Sequence, residues 1–302
     1  MSEHAQAATR PSGLRIWLLA ARPRTLPAAV APVLVGTALA GQKDKFSILA
    51  FLATLTGALL IQIGTNLAND YSDARRGADT DDRLGPVRVT AGGLVPPKQV
   101  LAATYLTFGL AVAVGIYLVS ISGWPLLIVG ILSILAGVLY TGGPRPYGYV
   151  GLGEVFVFLF FGLVAVAGTY YVQAVSLSWP AIALAVPVGL LAAAILVVNN
   201  IRDIDTDRRA SKKTLAVRLG RARTRKLFAA MVYSCFPLAL VPWIAGDLGP
   251  GLLLTWLAIP LAAAPTRAVL TRTDGPALNK TLGDTGKLQL AFCALLSLGI
   301  LL

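Results

Sequence analysis

One pattern repeats along the whole chain: an apolar stretch nearly free of charge, followed by a polar connection. Such stretches fall at residues 25–41, 46–68, 100–120, 124–141, 154–173, 180–198, 227–246, 250–270 and 286–302, the first and last being the shortest. Each is close to the roughly 20 residues that a helix needs to cross a bilayer. None shows the short alternating period of a barrel strand. The pattern predicts an all-α polytopic membrane protein with nine transmembrane helices. Composition agrees, because only 13% of the 302 residues are charged and 56% are hydrophobic. A water-soluble domain carries about twice that charge, so a disordered chain, a disulfide scaffold and almost any water-soluble enzyme are excluded. A single domain over residues 1–302 is expected, with residues 1–20 as a polar N-terminal tail.

The net charge of +12 is distributed by side rather than spread. When connections are assigned alternately to two faces, 24 of the 26 Lys and Arg residues fall on one face, and only Lys43 and Lys45 on the other. By the positive-inside rule, the N-terminus and the long connections are cytoplasmic and the C-terminus is outside. Arg22, Arg24 and the apolar run ending in Ala38-Leu39-Ala40 have the layout of a signal peptide. The late start of that run, with Pro27 and Pro32 inside it, argues for a retained span instead.

Several chemistries drop out. His4 is the single histidine, which removes a Ser-His-Asp triad, a Cys-His pair and histidine metal sites. Cys235 and Cys293 lie inside apolar runs and read as packing residues. The 14 acidic residues are more informative, because eight fall in two clusters: Asp70, Asp73, Asp79, Asp81 and Asp82, then Asp203, Asp205 and Asp207. Each cluster begins at the cytoplasmic end of an apolar helix and is led by asparagine in one register, Asn69-xxx-Asp73 and Asn199-xxx-Asp203. On a helix, Asn66, Asn69, Asp70 and Asp73 share a face, as do Asn199 (or Asn200), Asp203 and Asp207. Carboxylates at a helix C-terminus oppose the macrodipole and repel each other, so a compensating cation is expected. Oxygen donors without histidine or cysteine suit Mg²⁺, which binds through a few carboxylates together with substrate phosphates.

Basic residues complete a diphosphate clamp. Arg22 and Arg24 precede the first span, Arg145 lies in TGGPRPYGYVGLGE, and Arg202, Lys212 and Lys213 lie in RDIDTDRRASKKTLAVRLG. Asn66, Tyr140 and Tyr147 are candidates for an aromatic-substrate pocket, whereas Tyr149 reads as an interfacial anchor. A cation-coupled transporter would also use paired acidic repeats, but it would place them near the bilayer midplane. Here they gather at one face.

NLANDYSDARRGADTDDRLGPVR and NNIRDIDTDRRASKKTLAVRLG resemble the two aspartate-rich motifs of the UbiA superfamily of intramembrane prenyltransferases. The similarity runs from about Arg22 to the GPALN segment near the C-terminus. NDYSD…GAD, YTGGPRPYGYVGLGE and the following FFG…AGTYYVQ look like the branch that prenylates 1,4-dihydroxy-2-naphthoate in menaquinone synthesis. The alternative acceptors are 4-hydroxybenzoate and homogentisate.

The resemblance implies nine helices around a central cavity in a bacterial cytoplasmic membrane, with the site facing the cytoplasm. Metal ligation would fall on Asn69, Asp73, Asp79, Asn199, Asp203 and Asp207. Asp70, Asp73, Asp203 and Asp207 would be catalytic. The implied reaction is Mg²⁺-dependent transfer from a polyprenyl diphosphate, with loss of CO₂ and diphosphate, giving demethylmenaquinone. The Gly-Lys usual after the second motif is Ser211-Lys212 here, which leaves the backbone at Ser211 as the open point.

Overall fold

The computed structural model describes residues 12–78 and 84–302. Eleven helices account for most of them, and no strand occurs among the described residues. The helices are α1 (Gly13–Ala21), α2 (Pro27–Gln42), α3 (Ile48–Arg75), α4 (Pro97–Ser122), α5 (Pro125–Leu139), α6 (Gly153–Ala174), α7 (Trp179–Arg202), α8 (Ile204–Arg209), α9 (Leu215–Ile244), α10 (Pro250–Thr271) and α11 (Gly275–Leu301). Seven of these are long and apolar enough to cross a membrane. Among the described residues the number becomes eight if α1 and α2, bent by 54° at the turn between them, form one span. α5 is apolar but only 15 residues long.

Local chemistry sets the boundaries. Proline opens α2, α4 and α5, where its missing N–H costs nothing. The Ser47, Ser178 and Asp274 side chains cap α3, α7 and α11 by accepting from Ala50, Ala181 and Ala277 amides. Polar residues stay helical where an N-cap precedes them, so α11 begins at Gly275 rather than near residue 286. The expected polar tail is corrected as well: α1 already starts at Gly13, and its Leu14, Trp17, Leu18 and Leu19 are exposed. Its other side lies against α3 and the 84–96 connection, where Ala20 clusters with Leu67, Val89 and Val95.

α7 is the buried axis of the protein. It is hydrophobic all round, and 78% of its spanning window is buried, against 22% for α3 and 17% for α4. That is the mark of a central helix. Small residues let its neighbours approach, as interfaces between helices in lipid require. A Cβ on Gly162 of α6 would sit 2.6 Å from Gly189 Cα, and a Cβ on Gly189 would sit 2.8 Å from Phe158 O. The turns Phe158–Val164 around this crossing are π-helical. Cys235 and Cys293 are free and buried in the core, as packing residues should be. An α3–α4 pair lies to one side, leaving a cavity between it, α5, α6 and α7.

Candidate active site

The cavity has a volume of about 510 Å³ and a mostly apolar lining. Along α3 it runs from Thr54 to Asn69, fifteen residues or about 22 Å of helix. Its polar end is formed by Arg22, Asn66, Asn69, Arg88, Tyr140 and Asn199. Asn69 and Asn199, the leading residues of both motifs, therefore face one space.

The first motif closes on Asp73, which is buried at 2% exposure. Arg88 Nη2 donates to Asp73 Oδ2 at 3.1 Å. The Tyr149 hydroxyl donates to Oδ1. Lys212 Nζ, from the second motif, lies 3.7 Å from Oδ1 and 4.7 Å from the centre of the Tyr149 ring. Desolvating a carboxylate at this depth is expensive unless cations and donors surround it, and three do. The loop that delivers Arg88 is held by Asp70, whose oxygens accept from the Val89 and Thr90 amides at 3.1 and 2.9 Å. The family resemblance places Asp70 among the catalytic acids; in the fold both of its oxygens fasten this loop and so position Arg88. Asn69 accepts from Thr141 Oγ1 at 2.8 Å. Asp79 lies outside the described residues.

The second motif is built differently. The helix breaks at Asp203, whose φ of −94° and ψ of 8° join α7 to α8. The expected continuous helical stripe through Asp207 is therefore interrupted. Arg202 grips Asp203 side-on, with Nε on Oδ1 at 2.7 Å and Nη2 on Oδ2 at 2.5 Å. The same guanidinium donates to Asn199 Oδ1 at 2.8 Å and to Asn279 Oδ1 at 2.6 Å. Asn200 turns away to Glu154, donating at 2.8 Å. Asp207 is half-buried and accepts from Thr214 Oγ1 at 3.5 Å. Ser211 adopts the left-handed conformation, φ 56°, that its glycine counterpart would take without cost.

The expected clamp residues divide. Arg202 and Lys212 are buried at the motifs. Lys213 keeps an exposed side chain, and its amide donates to Tyr149 O at 2.8 Å. Arg145 is exposed and is not among the residues lining the cavity. Arg24 is also exposed and donates to Asn279 O at 3.5 Å. It is Arg22, in a left-handed turn, that reaches the cavity. Asn66 lines the cavity while donating to Ala21 O and Thr25 Oγ1. Tyr140 and Tyr147 form an aromatic wall with Phe156: Tyr147 stacks on Phe156 at 4.0 Å and meets Tyr140 edge-on at 5.4 Å. Burial pushes the Tyr147 phenol above the usual tyrosine range, so it stays protonated near neutrality.

The chemistry of this donor set fits a hard divalent cation. Asp73, Asp203, Asp207, Asn69 and Asn199 offer only oxygen, and the first two already sit against cationic side chains. Among the described residues no three Asp, Glu, His or Cys side chains converge. A cation here would complete its shell with amide oxygens, water and phosphate, as Mg²⁺ commonly does.

Residues 29–296 match the UbiA prenyltransferase family. The chain belongs to this family. It is 44% identical over 276 residues to the 1,4-dihydroxy-2-naphthoate octaprenyltransferase of Mycobacterium tuberculosis, covering 91% of this chain and 93% of that one. It is 41% identical over 298 residues to the Escherichia coli enzyme of the same name, covering 96% of each. In fold it resembles a UbiA homolog from Archaeoglobus fulgidus bound to DMAPP and Mg²⁺, with a TM-score of 0.66 at 15% identity, covering 93% of this chain and 99% of that one. For a UbiA-family chain, the residues that spacing did not reveal are Arg88, Tyr149, Thr141 and Asn279. Their common signal is a polar side chain near an apolar boundary, which is too frequent to single them out.

Proposed function

We propose that this UbiA-family protein transfers a polyprenyl group from polyprenyl diphosphate to 1,4-dihydroxy-2-naphthoate. CO₂ and diphosphate are lost, giving demethylmenaquinone at the hydroquinone level. The observation that carries the reading is the ion pair between Lys212 of the second motif and Asp73 of the first, joined through Arg88 to the polar end of the apolar cavity that Asn69 and Asn199 also line. The curated relatives at 41–44% identity support the naphthoate acceptor. Nine spans, with α5 and the α1–α2 pair completing the set, in a bacterial cytoplasmic membrane with the N-terminus and the site on the cytoplasmic side, follow the basic-residue asymmetry.

The division of labour follows from the geometry. Asn69, Asp73, Asn199, Asp203 and Asp207 would hold Mg²⁺, which neutralises charge on a departing diphosphate. Arg88, Arg202 and Lys212 supply further positive charge to the same group. The apolar lining holds the isoprenoid chain and keeps water from the allylic cation formed when the C–O bond breaks. The ring faces of Tyr140, Tyr147 and Phe156 favour that positive charge. The naphthoate ring carbon then forms the new C–C bond and the carboxylate leaves as CO₂.

Purified protein given Mg²⁺, labelled polyprenyl diphosphate and a panel of dihydroxynaphthoate, 4-hydroxybenzoate and homogentisate tests the proposal. Prenylated naphthoate, released diphosphate and full suppression by EDTA are expected. Preference for either monocyclic acceptor overturns the branch assignment, and EDTA-insensitive turnover overturns the metal assignment.

A further inference from the structure

We propose that Arg202 is a resident counter-cation of the second aspartate motif, and that it must release Asp203 and Asn199 before a divalent cation can bind there. The inference rests on the prenyl-transfer reading and concerns the order in which the site fills. Arg202 is 2% exposed and ranks among the largest fully buried side chains. Its four hydrogen bonds take both Asp203 oxygens and the Asn199 amide oxygen, the atoms a cation would need. The fourth, to Asn279 Oδ1 at 2.6 Å, comes from α11 and holds the guanidinium from the other side. Asn279 is itself held by donating to Leu84 O at 2.8 Å.

Arg202 occupies the chelating face of Asp203, and its charge repels a second cation at the same two oxygens, so guanidinium and metal ion compete for Asp203. A cation arriving alone would leave a buried guanidinium without its carboxylate, which is unfavourable. A diphosphate arriving with the cation offers Arg202 a replacement anion of matching geometry. The two ligands therefore bind cooperatively, each lowering the cost of the other.

Direct titration with Mn²⁺, following free Mn²⁺ by electron paramagnetic resonance, tests the exchange without turnover. Wild type, Arg202→Gln and the double variant Arg202→Gln/Asp203→Asn are compared with and without inorganic pyrophosphate, against protein-free blanks. Without pyrophosphate, Arg202→Gln is expected to bind Mn²⁺ at least tenfold more tightly than wild type, and the double variant to lose that gain. Pyrophosphate should tighten Mn²⁺ binding at least tenfold in wild type and less than threefold in Arg202→Gln. Unchanged or weaker Mn²⁺ binding in Arg202→Gln overturns the proposal, because Arg202 would then organise the site rather than occupy it. If that variant does not fold, Asn279→Ala, which withdraws one holder of the guanidinium, should tighten Mn²⁺ binding about threefold; no change overturns the proposal equally. Failure of the prenyl-transfer reading looks different: wild type forms no prenylated product while the Mn²⁺ differences persist.

Discussion

Asp73 and Asp203 occupy matching positions after an asparagine, yet the fold neutralises them by different routes. Asp73 near the end of α3 is met by Arg88 and Tyr149, 15 and 76 positions away, and by Lys212 from the far motif. Asp203 is met by its immediate neighbour, Arg202. The helices also finish differently: α3 carries Asp73 inside its last turns, whereas α7 stops one residue short of Asp203. The first site is thus a product of tertiary assembly, and the second is largely assembled by its own segment. A carboxylate supplied from three directions depends on loops staying in place; one supplied by its neighbour depends on a single side chain.

The largest expected effect asks whether the two carboxylates are equally indispensable. Asp73→Ala and Asp203→Ala should each lower turnover by about a thousandfold, the scale of losing a charge-stabilising group, with helical content by circular dichroism unchanged. Near-normal turnover in either would break the pairing of the motifs. Next, Arg88→Ala should cost about a hundredfold in turnover and Tyr149→Phe about tenfold, the range for charge-assisted hydrogen bonds. Equal losses in the two would show that Asp73 does not rank its partners by charge.

A smaller effect separates positioning from chemistry. Asp70→Ala should destabilise the protein by about 2–3 kcal/mol by leaving the Val89 and Thr90 amides without their acceptor. Thermal unfolding and protease cleavage within residues 84–96 would record it. Were turnover lost with stability intact, Asp70 would belong with the chemical acids. The smallest effect compares the helix ends. α3 is followed by Gly77 at φ 62°, and α8 by Ser211 at φ 56°. Ser211→Gly should raise stability by about 0.5–1 kcal/mol, as the left-handed penalty is relieved. A loss of stability would mean that the serine side chain compensates for its strain.

Much of this was legible in the sequence. Spanning helices show because charge is rare in the chain, and for the same reason Asp73, Asp203, Arg202 and Lys212 stand out. What failed was discrimination among adjacent polar residues. Nothing in Asp70-Tyr71-Ser72-Asp73 says which acid turns to a loop, and nothing in Arg22-Pro23-Arg24 says which arginine enters the cavity. The left-handed turn at Arg22 decides the latter. Tyr149 reads as an anchor in the sequence because its partner, Asp73, lies across the fold. Regular periodicity also ran too far at Asp203, where the chain ends one helix and starts another, and it missed α1, too short to register as a span.

The shape of the cavity has a practical consequence. A chamber that starts at asparagine side chains and ends among Val119 and Leu126 has the shape of a polar head with a slim hydrocarbon tail. Surfactants have that build. Kinetics measured in alkyl-chain micelles will therefore include a competitor from the buffer itself, inflating the apparent KM for the isoprenoid, and transfer to nanodiscs will lower it.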